Sequence, residues 1–290
     1  MELAAIDDLE LAYEVVGDPG GEPWAITPGG RYAMDSPGVR ELALELADRG
    51  RRVLLWDRPN VGSSGISFTG TSESAVQADA LAGLLRRLDM TPAVVAGGSG
   101  GARVSLLTAV RNRDVARGAA LWWMSGGVYG LVTVGAYYCA DSIHAAWNGG
   151  MEAVVELDHW QQQLDRNPAN RERFLALDPK EFIRTLERWL LAYCPCGDDL
   201  VPGLPRTEAS SFDLPTLVFR SGESDMHHTR ATSEELAETL PNALLVEPPW
   251  GDTEWIDRQA ARAERGEGIF QNWPRLAPQL VEWSDTVLTP

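Results

Sequence analysis

Along the first 125 residues, short apolar runs alternate with stretches whose apolar positions recur at helical spacing. "ELAAI" and "LELAYEVVG" read as an opening hairpin, and "PWAIT" at 23–27 as a third strand. "SPGVRELALELADRG" at 36–50 predicts a helix, with serine before its start, proline just inside and glycine at its end. "RVLLWD" at 52–57 is a buried strand that runs into the turn "RPNVGSSG", and "ESAVQADALAGLLRRLDM" is an amphipathic helix. "AVVAG" at 93–97 is again a strand, "SLLTAVRNR" the helix after it and "GAALWWMS" the next strand. Strand, helix and strand at such short intervals imply an α/β fold: a mostly parallel sheet of about eight strands flanked by helices.

From about Gly126 to Ser210 the strand-like runs vanish, and helical stretches carrying tryptophans take over. "LPTLVFRSG" at 214–222 resumes the buried-strand pattern, followed by "TSEELAETLP" as helix, "ALLVEPP" as strand and a last helix around 274–288. The expected organisation is a sheet core formed by 1–125 and 211–290, interrupted by a helical cap insertion at 126–210.

Composition narrows the function. Of 290 residues 44% are hydrophobic and 23% charged, as in ordinary globular proteins. The net charge of −17 opposes binding to nucleic acid or to anionic membrane surfaces. No basic segment followed by an apolar run opens the sequence, and no apolar stretch is long enough to span a bilayer, so a cytoplasmic protein is expected. A second copy of the chain, as a homodimer, is the one protein partner left open. Cys139, Cys194 and Cys196 have no paired spacing and read as reduced thiols, with no metal site.

The strongest chemical signal is "VVAGGSGGARVSLL". Ser99 is the centre of Gly97-Gly98-Ser99-Gly100-Gly101, a full G-x-S-x-G between an apolar strand and a helix. A serine on so sharp a turn projects its hydroxyl clear of the backbone. The N–H of the next residue, Gly100, then faces the place where an oxyanion would form, and the helix N-terminus adds positive potential there. The motif lacks the lysine of a phosphate-binding P-loop. A second donor is expected from "TPGGRYAMD" after the third strand, with Gly30 as the N–H and Arg31 beside it as a charged contact for substrate.

These features together resemble the α/β-hydrolase superfamily. The resemblance covers the glycine loop at 28–30, the "DRPNVGSS" turn at 57–64, the elbow at 97–101 and the helical insertion. It implies a catalytic order of nucleophile, acid, histidine, and it places the acid at Asp225, three residues after a glycine in "SGESDMHHTR". The chain departs from the pattern twice. The oxyanion loop begins Pro28-Gly29 rather than His-Gly, and the slot for the late histidine, in "PPWGDTEW", holds Asp252.

Only four histidines exist, His144, His159, His227 and His228. A neutral serine is a poor nucleophile without a base in hydrogen-bond reach. Three answers stay open at this point. His228, or else His227, swings in from the acid loop and is oriented by Asp225 or Asp252; Asp252 is itself the base; or Ser99 never attacks. His144 could face the pocket from the insertion, and His159 reads as a packing residue. Among eleven tryptophans, Trp123, Trp147 and Trp250 are placed to line a cavity for a hydrophobic or aromatic small molecule. The expected function is cofactor-independent hydrolysis of an ester, lactone or activated carbon–carbon bond. The competitors are a lyase, dehydratase or cyclase using the same pocket, and a binding protein on a decayed scaffold.

Overall fold

The computed structural model describes residues 1–194 and 197–288. The opening hairpin is β1 (Glu2–Ile6) and β2 (Leu9–Val16), antiparallel to each other. There follow β3 (Glu22–Thr27), α1 (Val39–Ala47), β4 (Arg51–Trp56), α2 (Glu73–Arg87), β5 (Ala93–Gly98), α3 (Gly100–Arg111) and β6 (Ala116–Trp122). A run of helices comes next: α4 (Val128–Gly135), α5 (Asp141–Val155), α6 (Asp158–Arg166), α7 (Ala169–Leu175) and α8 (Pro179–Leu191). Two short strands, β7 (Asp199–Val201) and β8 (Leu204–Pro205), and the single turn α9 (Arg206–Ala209) lead back to β9 (Thr216–Phe219), α10 (Arg230–Thr239) and β10 (Ala243–Val246). The chain closes with α11 (Glu254–Arg265) and α12 (Ala277–Trp283).

Eight strands form one sheet in the order β1-β2-β4-β3-β5-β6-β9-β10. Only β1/β2 and β2/β4 pair antiparallel; every other pair is parallel. The central strand β5 is buried along its whole length, which is why it reads as an unbroken apolar run rather than an alternating one. One face packs on α2 and α3 through Leu81, Leu85, Leu106 and Leu107, and the other on α1, α12 and the turn before α12 through Leu42, Leu46, Leu280 and Trp273.

The helices at 128–191 bury a cluster of their own around Trp160, Phe174, Phe182 and Trp189. Phe68, from the long β4–α2 connection, plugs this cluster and meets all four rings with centroids 4.7–5.8 Å away. The same connection fastens the helices by polar contacts. Ser64 O accepts from Gln163 Nε2 and Asn170 Nδ2, both at 2.9 Å, and Thr69 O from Trp189 Nε1 at 3.2 Å.

The structure departs from the sequence expectations in three places. Helix α1 starts at Val39, capped by Gly38, whose N–H donates to Glu41 Oε2 at 2.7 Å; Ser36 belongs to the preceding turn, its carbonyl accepting from Val39 N–H. The β7–β8 pair lies inside the segment expected to be helical throughout. Helix α11 was not anticipated: its buried positions are only Glu254 and Ala261, so it shows no apolar stripe, and Arg258 ties it together by pairing with Glu254 and Glu267. Among the described residues no helix is long and apolar enough to cross a membrane. The reading of Cys194–Cys196 extends to residues outside those described.

Candidate active site

The site opens beyond the carboxyl ends of β3, β5 and β9, where open parallel sheets leave a crevice. Ser99 lies directly between β5 and α3 with φ 58° and ψ −126°, a conformation that non-glycine residues seldom adopt. The flanking glycines let the turn approach β3: a Cβ on Gly101 would stand 2.0 Å from the carbonyl oxygen of Thr27. Ser99 N–H donates to Trp122 O at 3.1 Å, and Ser99 O accepts from Ala102 and Arg103 N–H, which locks the bend in place. Gly29 lies close on the other side, its Cβ position 3.1 Å from Ser99 Oγ.

His228 Nε2 is 2.8 Å from Ser99 Oγ, and His228 Nδ1 is 2.9 Å from Asp225 Oδ2. Asp225 and His228 are 4% and 2% exposed, so both hydrogen bonds lie in a water-poor environment. The other carboxylate oxygen, Oδ1, accepts from the backbone N–H groups of His227 (2.9 Å) and His228 (3.0 Å). One carboxylate therefore caps its own turn and holds the imidazole three residues later. Trp123 stacks on His228 (centroids 6.0 Å, planes 16° apart), while Trp255 meets it edge-on at 4.6 Å.

Asp252 lies elsewhere. Its exposed carboxylate pairs with Arg230, and its carbonyl accepts from Ser224 Oγ at 2.7 Å. The residue that occupies the slot of the missing late histidine thus braces the loop carrying Asp225 and His228 from outside, and it does not line the cavity.

The Gly30 and Gly100 backbones come close at the floor: Gly30 N is 3.6 Å from the position a Gly100 Cβ would take. As the first residue of α3, Gly100 has an N–H with no intrahelical acceptor. Two buried arginines stand behind this floor. Arg58, from the "DRPNVGSS" turn, donates to the carbonyls of Gly29 (3.2 Å), Gly30 (2.7 Å) and Tyr32 (3.3 Å), pinning the glycine loop from below. Arg103 donates to Ser74 Oγ and Tyr193 Oη. Among the described residues neither has a carboxylate in salt-bridge range. Nothing in the sequence pattern marks either as part of the site, although Arg58 lies in the "DRPNVGSS" turn.

A cavity of about 740 Å³ stands over Ser99. Tyr32, Tyr137, Tyr138, Trp255, Ile269 and Phe270 supply its apolar wall, and His159, Gln162, Gln163, Arg166, His227 and Arg262 its polar one. Burial and the neighbouring Arg31 cation push the His159 imidazole down to about 4, so it is neutral at pH 7. His227 is likewise lowered by burial and by His228.

Several expected contacts are not brought to this cavity. His144 is exposed on α5, bonded to Asn148, and Trp147 is 76% exposed on the same helix. Trp250 packs on Trp123 at 5.7 Å, so both support the imidazole from behind instead of lining the space. Six of the tryptophans are fully buried fillers, and only Trp255 lines the cavity. Arg31 does line it, but its guanidinium turns inward onto Glu73 and the Tyr138 carbonyl, between the rings of Tyr138 (4.7 Å) and Trp160 (5.2 Å).

No protein-family description matches the sequence, and no curated protein matches it. Solved structures do match its shape. An enol-lactonase from Burkholderia xenovorans is 20% identical, with 98% of this chain and all of that one covered and a TM-score of 0.61. A thermophilic esterase from Thermogutta terrifontis is 20% identical over 97% and 95% of the two chains, with a TM-score of 0.57. An enzyme that degrades N-acyl homoserine lactones is 19% identical over 99% and 100%, also with a TM-score of 0.57. The chain has the α/β-hydrolase fold, as its eight-stranded sheet and these likenesses show.

Proposed function

We propose that the protein is a hydrolase of esters or lactones that uses Ser99 as nucleophile, His228 as general base and Asp225 as the group orienting it. The observation that carries the reading is the doubly bonded imidazole, 2.8 Å from the serine oxygen on one side and 2.9 Å from a buried carboxylate on the other. Roles rather than chain positions define such a constellation, so a base supplied by the acid's own loop meets the chemical requirement.

The carboxylate fixes the proton of the neutral imidazole on Nδ1 and leaves the Nε2 lone pair facing Ser99. As Ser99 Oγ bonds to the substrate carbonyl carbon, its proton passes to Nε2, and Asp225 stabilises the imidazolium that results. The carbonyl π pair moves onto oxygen, towards the Gly30 and Gly100 N–H groups, with the Arg58 and Arg103 cations behind them. Each such donor is worth about 3 kcal/mol in comparable sites. Collapse of the intermediate expels the alcohol, which takes the Nε2 proton; in a lactone it stays tethered as the hydroxyl of the acyl chain. Water then repeats the sequence and releases the acid.

The two-faced cavity suits a small molecule with an aromatic or alkyl part against the tyrosines and Phe270, and a polar part against the glutamines and His159. The activities of the structural neighbours, lactone and ester cleavage, support this substrate class. Turnover of p-nitrophenyl acetate, labelling of Ser99 by a fluorophosphonate, and loss of both in Ser99→Ala are expected. An active Ser99→Ala variant would end the proposal, as would a ligand held tightly in the cavity of a protein that neither turns over esters nor takes the label.

A further inference from the structure

In most turns of this shape the residue after the serine could carry a side chain; here it is glycine, and the space is filled from the helical segment above. A Cβ on Gly100 would stand 3.1 Å from Tyr138 Oη, closer than to the Gly30 nitrogen at 3.6 Å or Arg103 Nη2 at 3.7 Å. The phenol oxygen and the Gly30 amide nitrogen therefore border the same small space beside Gly100, next to the amides to which the oxyanion is assigned. Tyr138 is 6% exposed and lines the cavity together with Ser99 and Gly30. Among the described residues its hydroxyl has no protein hydrogen-bond partner, although Tyr138 is otherwise firmly held. The Arg31 guanidinium lies over its ring at 4.7 Å, the Tyr193 ring is 5.9 Å away, and its carbonyl accepts from Arg31. An O–H group held in position beside the cavity floor, with no protein partner, can donate to an acceptor that arrives there.

We propose that Tyr138 is a third oxyanion donor, a catalytic residue supplied by the helical segment to the site in the sheet domain. The inference rests on the serine-hydrolase reading above. When Ser99 Oγ bonds to the acyl carbon and the π pair moves onto oxygen, the phenol keeps its proton and donates a hydrogen bond to that oxygen. The serine proton still goes to His228, so Tyr138 takes no part in proton transfer. The geometry also assigns a reason for the residue choice at 100: any side chain there would displace the phenol.

The test is Tyr138→Phe, which removes one oxygen with no protein partner and should leave the thermal midpoint within about 2 °C. Two esters sharing an acetyl group, p-nitrophenyl acetate and ethyl acetate, separate the roles, because only the second needs a proton on its leaving group. A donor to the oxyanion predicts that kcat falls by about tenfold or more on both esters, to a similar extent, with KM within about twofold. A smaller loss of kcat, a loss confined to KM, or one confined to ethyl acetate would overturn the inference. Gly100→Ala gives a second measurement: it should cost about as much as Tyr138→Phe, and adding it to Tyr138→Phe should cost clearly less than the product of the two. Full multiplicativity would overturn the shared-volume argument. The two levels of proposal fail separately. Wild-type protein that neither hydrolyses p-nitrophenyl acetate nor takes a fluorophosphonate on Ser99 refutes the hydrolase reading, whereas labelled, active protein indifferent to Tyr138→Phe refutes only this one.

Discussion

The proposed base and its orienting acid are three residues apart, and Asp225→Asn tests what that closeness does. The native carboxylate accepts three hydrogen bonds: two backbone N–H groups on Oδ1 and His228 Nδ1 on Oδ2. An asparagine has one acceptor end and one donor end. Its oxygen keeps the two backbone N–H groups, because the opposite orientation would set the amide nitrogen against two donors at about 3 Å. The amide N–H then points at Nδ1, which must give up its proton, and the proton moves to Nε2. The imidazole now donates to Ser99 Oγ and has no lone pair for the serine proton. The expected cost is about 10⁴-fold in kcat/KM, or about 5.5 kcal/mol at roughly 1.4 kcal/mol per tenfold.

Stability separates this cause from damage to the loop. Asp225→Asn replaces one charge-assisted bond with a neutral one and should cost about 1–2 kcal/mol. Asp225→Ala removes the acceptor for two buried N–H groups at about 1–3 kcal/mol each, and so should cost about 2–6 kcal/mol. Initial rates on p-nitrophenyl acetate and urea unfolding of both variants supply the comparison. An Asp225→Asn protein within about tenfold of wild-type activity would refute the tautomer argument. Equal destabilisation by the two variants would refute the claim that one carboxylate oxygen caps the turn.

Arg58→Met keeps an unbranched stem but removes the guanidinium and so frees three carbonyls of the glycine loop; kcat should fall by about 10–100-fold as Gly30 N–H drifts, with KM little changed, and an unaltered kcat would show that the loop holds itself. Asp252→Asn should leave kcat/KM within about twofold and stability within about 1 kcal/mol, since its exposed carboxylate meets only Arg230; a large loss of activity would revive it as the base. The His159 imidazole, held near 4 by burial, stays unprotonated in the folded state while the unfolded chain takes up its proton at about 6.5. Stability should therefore fall as pH drops from about 6.5 to about 4, and His159→Gln should flatten that slope in urea midpoints; an identical slope would show that other groups carry it. Cys139 is 1% exposed with its thiol pushed up to about 12, so iodoacetamide at about pH 8 should leave it unmodified until denaturant is added; labelling in the native state would show that the helical segment opens.

The sheet was legible because its strands carry their signal locally. A run such as "AVVAG" buries every side chain, so its pattern needs no knowledge of its neighbours. Helix α11 was not legible for the converse reason: it is held by ion pairs, by one buried alanine and by the isolated aromatic contacts of Trp255, which leave no continuous apolar stripe. In the candidate site, the bend at Ser99 and Gly100 was legible because so sharp a turn demands small flanking residues, and Gly30 was read from the glycine pair in the loop after β3. The position of His228 beside Ser99 was one of three options in the sequence, because what decides it is the direction taken by a short loop. The tryptophans misled by number: most of them fill the core, and a count cannot tell a wall of a cavity from the packing behind it. Tyr138 left no signal at all, since the close approach of a helical residue to Gly100 is a purely tertiary event.

A base on the acid loop, as proposed, changes what has to be rigid. With the histidine on a separate loop after the last strand, two segments must be positioned independently against the serine. Here the turn Asp225–His228 is preorganised by its own carboxylate, so a single segment has to be placed. That segment is braced on three sides: by Trp123 from the end of β6, by Trp255 from α11, and by Asp252 through Ser224 and Arg230. The loop after β10, which carries Asp252, serves as one of those braces.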